Sequence, residues 1–173
     1  MRDWPRRVRP GLHRQLMRDC TRQRSQVQGE PVSVSMDHAE REAFLADVHV
    51  GVLSVVAAEE RGPLATPVWY SYTPGGLVSV TTGGTSRKAR AIAAVGRFSL
   101  CAQDEKPPYK YVTVEGPAVI EPAQLTERIA IARRYLGAEG GDAFIAANPD
   151  ADDVMIRMTP EHWQTADFGK AVG

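Results

Sequence analysis

The residues with the most chemical capacity lie in one stretch, TTGGTSRKARAI, residues 81–92. It joins an alternating run, residues 77–82, to a run with helical spacing, residues 89–95. At the join stand Gly83 and Gly84, the hydroxyls of Thr85 and Ser86, and the cations Arg87, Lys88 and Arg90. A helix N-terminus exposes unpaired backbone N–H groups and a partial positive charge. The glycines let the backbone come close to a ligand, and the hydroxyls can donate. Arg87 offers a planar fork and Lys88 a compact point charge. Together they suit recognition of an anion, above all a phosphate. The competing reading is a capped helix with a solvated basic face. Cations in a first turn oppose the helix dipole, and that local cost points to a compensating anion.

A second stretch, PLATPVWYSY, residues 63–72, reads as a strand carrying Pro67. Proline within a strand marks an edge or a bulge. Trp69 and Tyr70 then put one large ring on each face. One ring can serve the core and the other a planar ligand or a partner chain; ordinary packing explains both equally well.

The elements that must hold these residues follow from periodicity. Asp37 with Glu40 three residues on forms a capping box, and residues 38–47 read as an amphipathic helix. Residues 50–57, 64–73 and 77–82 read as an antiparallel meander, because their connections are too short for crossover helices. Residues 86–95 form a short helix ended by Gly96. Residues 98–102 and 111–121 are strands. Pro122 is expected to open a helix through Leu136, with a second over 138–147. Residues 154–158 and 164–167 close the series. Six to seven mostly antiparallel strands with peripheral helices imply an α+β, mainly β, barrel-like domain.

Composition narrows the function class. The chain has 173 residues, which suits one core, and equal numbers of basic and acidic residues, 21 each. Gross charge therefore selects neither nucleic acid nor membrane as a partner. Eight arginines against three acids make residues 1–35 basic. They read as a solvated, flexible extension before a domain at 36–173, since only Trp4 interleaves with the arginines of a would-be nucleic-acid arm. Met36 before a clean helix start also fits an alternative translation start. No apolar run nears the roughly 18 residues of a membrane span. Cys20 and Cys101 have no metal or disulfide spacing, and the four histidines no ligand spacing, so a metal site is not expected and a reducing cytoplasm is the default. No acid or base stands out as catalytic; Tyr70, Tyr109 and Tyr111 are equally well explained by packing.

The ordered series ATPVWYSY, VSVTTGG, SRKARAI, RFSLCAQDE, YVTVEGPAVI and IRMTPEHWQTADFGK resembles the flavin- and deazaflavin-dependent oxidoreductases related to pyridoxamine 5′-phosphate oxidase, over about residues 36–170. The resemblance implies a split β-barrel and a homodimer with two cofactor sites at the subunit interface. It implies that Ser86, Arg87 and Lys88 bind the cofactor phosphate. Thr66, Pro67, Val68 and Trp69 would run beside the tricyclic ring, and Thr81 and Thr82 would line the phosphate and ring edge. Trp163 would close the pocket, from either subunit. The loop DEKPPYKY supplies no second phosphate clamp, so the chain resembles the broader oxidoreductase branch more than the vitamin B6 enzyme. The implied activity is hydride transfer between the cofactor and a small organic substrate; the alternative is a protein that sequesters such a cofactor, or haem, without turnover. FMN and coenzyme F420 both fit. F420 adds a polyanionic tail, for which Arg61, Arg90, Lys106 and Lys110 are candidate partners. The Arg- and Ala-rich, Lys-poor composition leans towards F420.

Overall fold

The computed structural model describes residues 33–57, 61–149 and 152–171. The basic extension up to residue 32 thus lies outside the described residues. In chain order the elements are α1 (His38–Ala46), β1 (Gly51–Val55), β2 (Leu64–Val68), β3 (Tyr70–Ser71), β4 (Val78–Gly83), α2 (Arg87–Val95), β5 (Arg97–Asp104), β6 (Lys110–Pro122), α3 (Leu125–Ala146), β7 (Asp153–Met158) and β8 (His162–Asp167). A 3-10 turn, Phe168–Ala171, follows.

All strand pairs are antiparallel, in the order β2-β1-β5-β6-β7-β4-β3, with β8 beside β6. The 13-residue β6 organises the whole. Its first half lies between β5 and β8, while its second half, from Ala118, pairs with β7. The sheet turns over at Gly116, where the chain linking β7 to β8 crosses close by. A Cβ on Gly116 would lie 1.8 Å from the Thr159 carbonyl oxygen, so only glycine fits. Thr159 N–H donates to Pro117 O and Glu161 N–H to Glu115 O, each at 2.9 Å, which fixes the crossing. The outcome is a curled, mainly β half-barrel with three helices.

Alternation decides what faces inward. β5 buries Phe98, Leu100 and Ala102, and β6 buries Val112 and Val114. Leu53, Tyr70, Val78, Val80, Ile156 and Met158 complete the barrel core. Burial of each large apolar side chain contributes about 1.5–3 kcal/mol. Ile131, Ala132 and Met155 are buried outside that cluster. Polar links tie α3 to β7: the Arg128 Nε donates to Asp153 Oδ2 at 2.8 Å, and Arg157 pairs with Glu127. Among the described residues no helix is long and apolar enough to cross a membrane.

Three local readings change. The expected strand 64–73 breaks at Trp69: β2 pairs with β1, and β3 pairs with β4. Pro67 does sit on an edge, since β2 has no second neighbour among the described residues. Pro122 ends β6 rather than opening a helix; α3 starts at Leu125, behind Gln124, whose N–H donates to the Glu127 carboxylate at 3.1 Å. The two helices expected around residue 137 are the two arms of α3, broken where Gly137 takes φ 75°. The second arm folds closely onto the first: a Cβ on Gly141 would lie 2.6 Å from Arg133 N. A bidentate Arg133–Asp142 pair, at 2.7 and 2.8 Å, spans the break.

Candidate functional site

The join between β4 and α2 is built around one hydroxyl. Ser86 is the N-cap, and its Oγ accepts from Ala89 N at 3.2 Å. Thr82 Oγ1 donates to the same Ser86 Oγ at 3.3 Å. The Thr82 hydroxyl is thus committed to the cap, while the Ser86 Oγ accepts twice and keeps its own O–H available to donate. Gly84 N–H donates to Asp152 O at 2.7 Å and Ser86 N–H to Gly83 O at 3.0 Å, so those donors are spent within the fold. Arg90 N–H closes the first helical bond on Ser86 O. The backbone N–H groups of Arg87 and Lys88 have no acceptor among the described residues. No acid stands in the first turn of α2. This is a helix start with open donors and uncompensated positive charge.

Lys88 opens onto a cavity of about 400 Å³. Pro67 and Val68 of β2, Thr81 of β4, Trp69 between β2 and β3, Val50, Phe144 of α3 and Asp153 of β7 form its other walls. Lys88 is half-buried and makes no ion pair among the described residues. Trp69 is fixed by α3: its ring stacks on Tyr135 at 5.2 Å between centroids and tilts against Phe144 at 5.4 Å. The Tyr135 hydroxyl donates to His49 O at 2.7 Å and accepts from Tyr70 N–H at 3.0 Å. Burial raises the pKa of that hydroxyl, which keeps it a donor. Tyr70, fully buried, donates to Leu45 O at 2.9 Å and serves the core. Trp69 and Tyr70 thus divide between ligand cavity and core.

The structure brings Pro67, Val68, Trp69, Thr81 and Lys88 together. Thr82 and Ser86 support the cavity from behind through the cap, and Thr66 does not line it. Arg87 faces a neighbouring hollow of about 380 Å³, shared with Arg61, Gly62, Pro63 and Ala65. Trp163 stands elsewhere. It faces a third hollow with Tyr72 and Arg41, whose guanidinium lies 4.7 Å above the indole ring. Val50, Phe144 and Asp153 are cavity residues that the sequence pattern did not single out. Phe144 reaches the cavity because α3 breaks at Gly137, and Gly137 and Gly141 are the local signals of that fold-back. Asp153 is placed by its register opposite Gly83, which no local pattern encodes.

No protein-family model and no curated sequence matches this chain. Solved structures do share its fold. A conserved hypothetical protein from Mycobacterium tuberculosis aligns with a TM-score of 0.66 and 20% identity, covering 84% of this chain and 94% of that one. An F420 reductase aligns at 0.58 and 22% identity, covering 71% and 94%. A putative pyridoxamine 5′-phosphate oxidase from Listeria innocua aligns at 0.55 and 16% identity, covering 74% and 96%. The curled sheet, the order of its strands and these alignments agree with what the sequence resemblance implies: the chain has the split β-barrel fold of the pyridoxamine 5′-phosphate oxidase-like structures.

Proposed function

We propose that the chain binds a phosphate-bearing flavin-type or deazaflavin coenzyme and passes hydride between it and a small organic substrate. The observation that carries this reading is one juxtaposition. An unpaired Lys88 amine and the open N–H groups at the start of α2 stand beside a cavity walled by Trp69, Pro67 and Val68. Phosphate wants the first set and a planar ring the second. The coenzyme, when bound, supplies the hydride chemistry. The chain's own groups anchor the anion, set the ring against Trp69 and Val68, and exclude water along that apolar wall.

Between the two coenzymes, the second hollow favours F420. Arg61 and Arg87 both line it. These two cations suit a polyanionic tail, and Arg87 directly precedes the Lys88 of the first cavity in sequence. Two of the other candidate cations are less free: Lys110 is paired with Asp167 at 2.8 Å, and Arg90 donates to Thr85 O at 2.6 Å. Haem is the weaker reading, because the described residues lining the cavity include no His, Cys, Met or Tyr to ligate iron. We also propose a homodimer, in which a second copy covers the exposed Val50 and Val52 beside the cavity. Separate titrations of purified protein with FMN and F420, followed by a hydride-transfer assay, test the reading. F420 is expected to bind more tightly, with Arg61→Ala weakening F420 and sparing FMN. Binding of neither coenzyme overturns it.

A further inference from the structure

Asp153 is the anomaly of the cavity. A site that holds an anion gains nothing from a carboxylate in its wall, since like charges repel and both lose water when the ligand enters. Yet Asp153 is held there firmly. Its Oδ2 accepts from Arg128 Nε at 2.8 Å, and Arg128, only 8% exposed, also donates to Asn148 O at 2.9 Å. The side chain of Asp153 keeps 23% of its surface open, and Oδ1 has no partner among the described residues. Lys88 lines the same cavity, but the two opposite charges do not meet within 4.0 Å. Each therefore awaits a different part of whatever binds. A carboxylate closed under a ligand must receive a hydrogen bond or incur a desolvation penalty.

Resting on the proposed coenzyme reading, we infer that Asp153 is a specificity-determining residue: it accepts a hydrogen bond from an N–H or O–H donor of the ligand whose anionic end is held at Lys88. The cavity is then selective for ligands carrying both features and rejects bare anions. FMN and F420 each combine a phosphate with an imide N–H and chain hydroxyls. Sulfate has the charge and, at neutral pH, no donor.

The test uses Asp153→Asn, which retains an acceptor for Arg128, with Asp153→Ser as a second variant should the first fold poorly. Each is titrated with whichever of FMN and F420 the wild type binds, by fluorescence quenching, and with sulfate, by thermal shift. Loss of the carboxylate is expected to weaken coenzyme binding roughly ten- to hundredfold, the range for a charge-assisted hydrogen bond. The same change is expected to strengthen sulfate binding, because the repulsion has gone. A purely structural role would shift both ligands in one direction or neither, and either pattern overturns the inference. If Lys88→Ala loses the coenzyme while the Asp153 variants bind it like wild type, Asp153 is wrongly assigned and the coenzyme reading stands. If the wild type binds neither coenzyme, both fall.

Discussion

The starts of α1 and α2 are capped alike and differ in the charge of their first turns. At α1, Asp37 accepts from Glu40 N–H and Glu40 accepts from Asp37 N–H, each at 2.8 Å. The acid in the first turn also complements the helix dipole. At α2, Ser86 satisfies one donor, the next two positions are Arg87 and Lys88, and their N–H groups stay open. α3 resembles α1 in placing an acid in its first turn, where Glu127 accepts from Gln124 N–H at 3.1 Å. In all three helices the N–H groups of the first two residues have no acceptor among the described residues, but α2 carries two cations and no acid there, and its Lys88 lines the cavity. The first-turn charges, rather than the capping bonds, distinguish a helix start that complements its own dipole from one suited to receive an anion.

The most severe way to break this contrast is to give α2 the charges of α1. The double change Arg87→Glu and Lys88→Glu is expected to stabilise the helix by about 0.3–1 kcal/mol, as acids complement the dipole. It should at the same time abolish measurable coenzyme binding, since two attractions become repulsions. Thermal melts and ligand titrations on the same samples read both effects; a variant that still bound coenzyme would remove α2 from the site.

The reverse experiment is smaller and purely structural. Asp37→Ala should lower stability by about 1 kcal/mol, the usual cost of a lost N-cap, and leave coenzyme affinity unchanged. Denaturant unfolding and titration check it, and a change in affinity would mean that α1 is coupled to the cavity.

The mildest prediction concerns pH. A hydrogen bond from Lys170, then one from the Asp37 N–H, holds the Glu40 carboxyl below its ordinary value of 4.5. A depressed folded-state pKa stabilises the fold above the unfolded value, and that stability is lost as pH falls through the folded value. Wild type should therefore exceed Glu40→Gln in stability at neutral pH, with the gap closing below 4.5. The Ser86 cap has no carboxyl, so Ser86→Ala should show no such closing. Unfolding curves measured from pH 7 to pH 3 separate the two caps.

Much of this was legible before any coordinates. Alternation in β5 and β6 is regular because one face of each strand meets the core. The capping box of α1 and the serine-basic-basic start of α2 are local signals of three or four residues, so the sequence displays them directly. The jog at Trp69 was hidden, because residues 64–72 read as one unbroken β-type run and burial alternates straight through while the chain changes neighbours from β1 to β4. What marks the jog is Tyr135, 65 residues away, whose hydroxyl receives the Tyr70 N–H. Phe144 and Asp153 reached the cavity through a helix fold-back and a strand register, both products of long-range packing. β8 places this chain's own Trp163 beside Arg41 and Tyr72, so its expected closing of the pocket would have to come from a second subunit.

The most direct measurement is a crystal structure of the protein with the coenzyme it binds. The account predicts phosphate oxygens within hydrogen-bond distance of Lys88 Nζ and of the backbone N–H groups of Arg87 and Lys88, with the ring against Trp69 and Val68. A phosphate bound elsewhere, with Lys88 turned to solvent and the α2 donors still open, would contradict it.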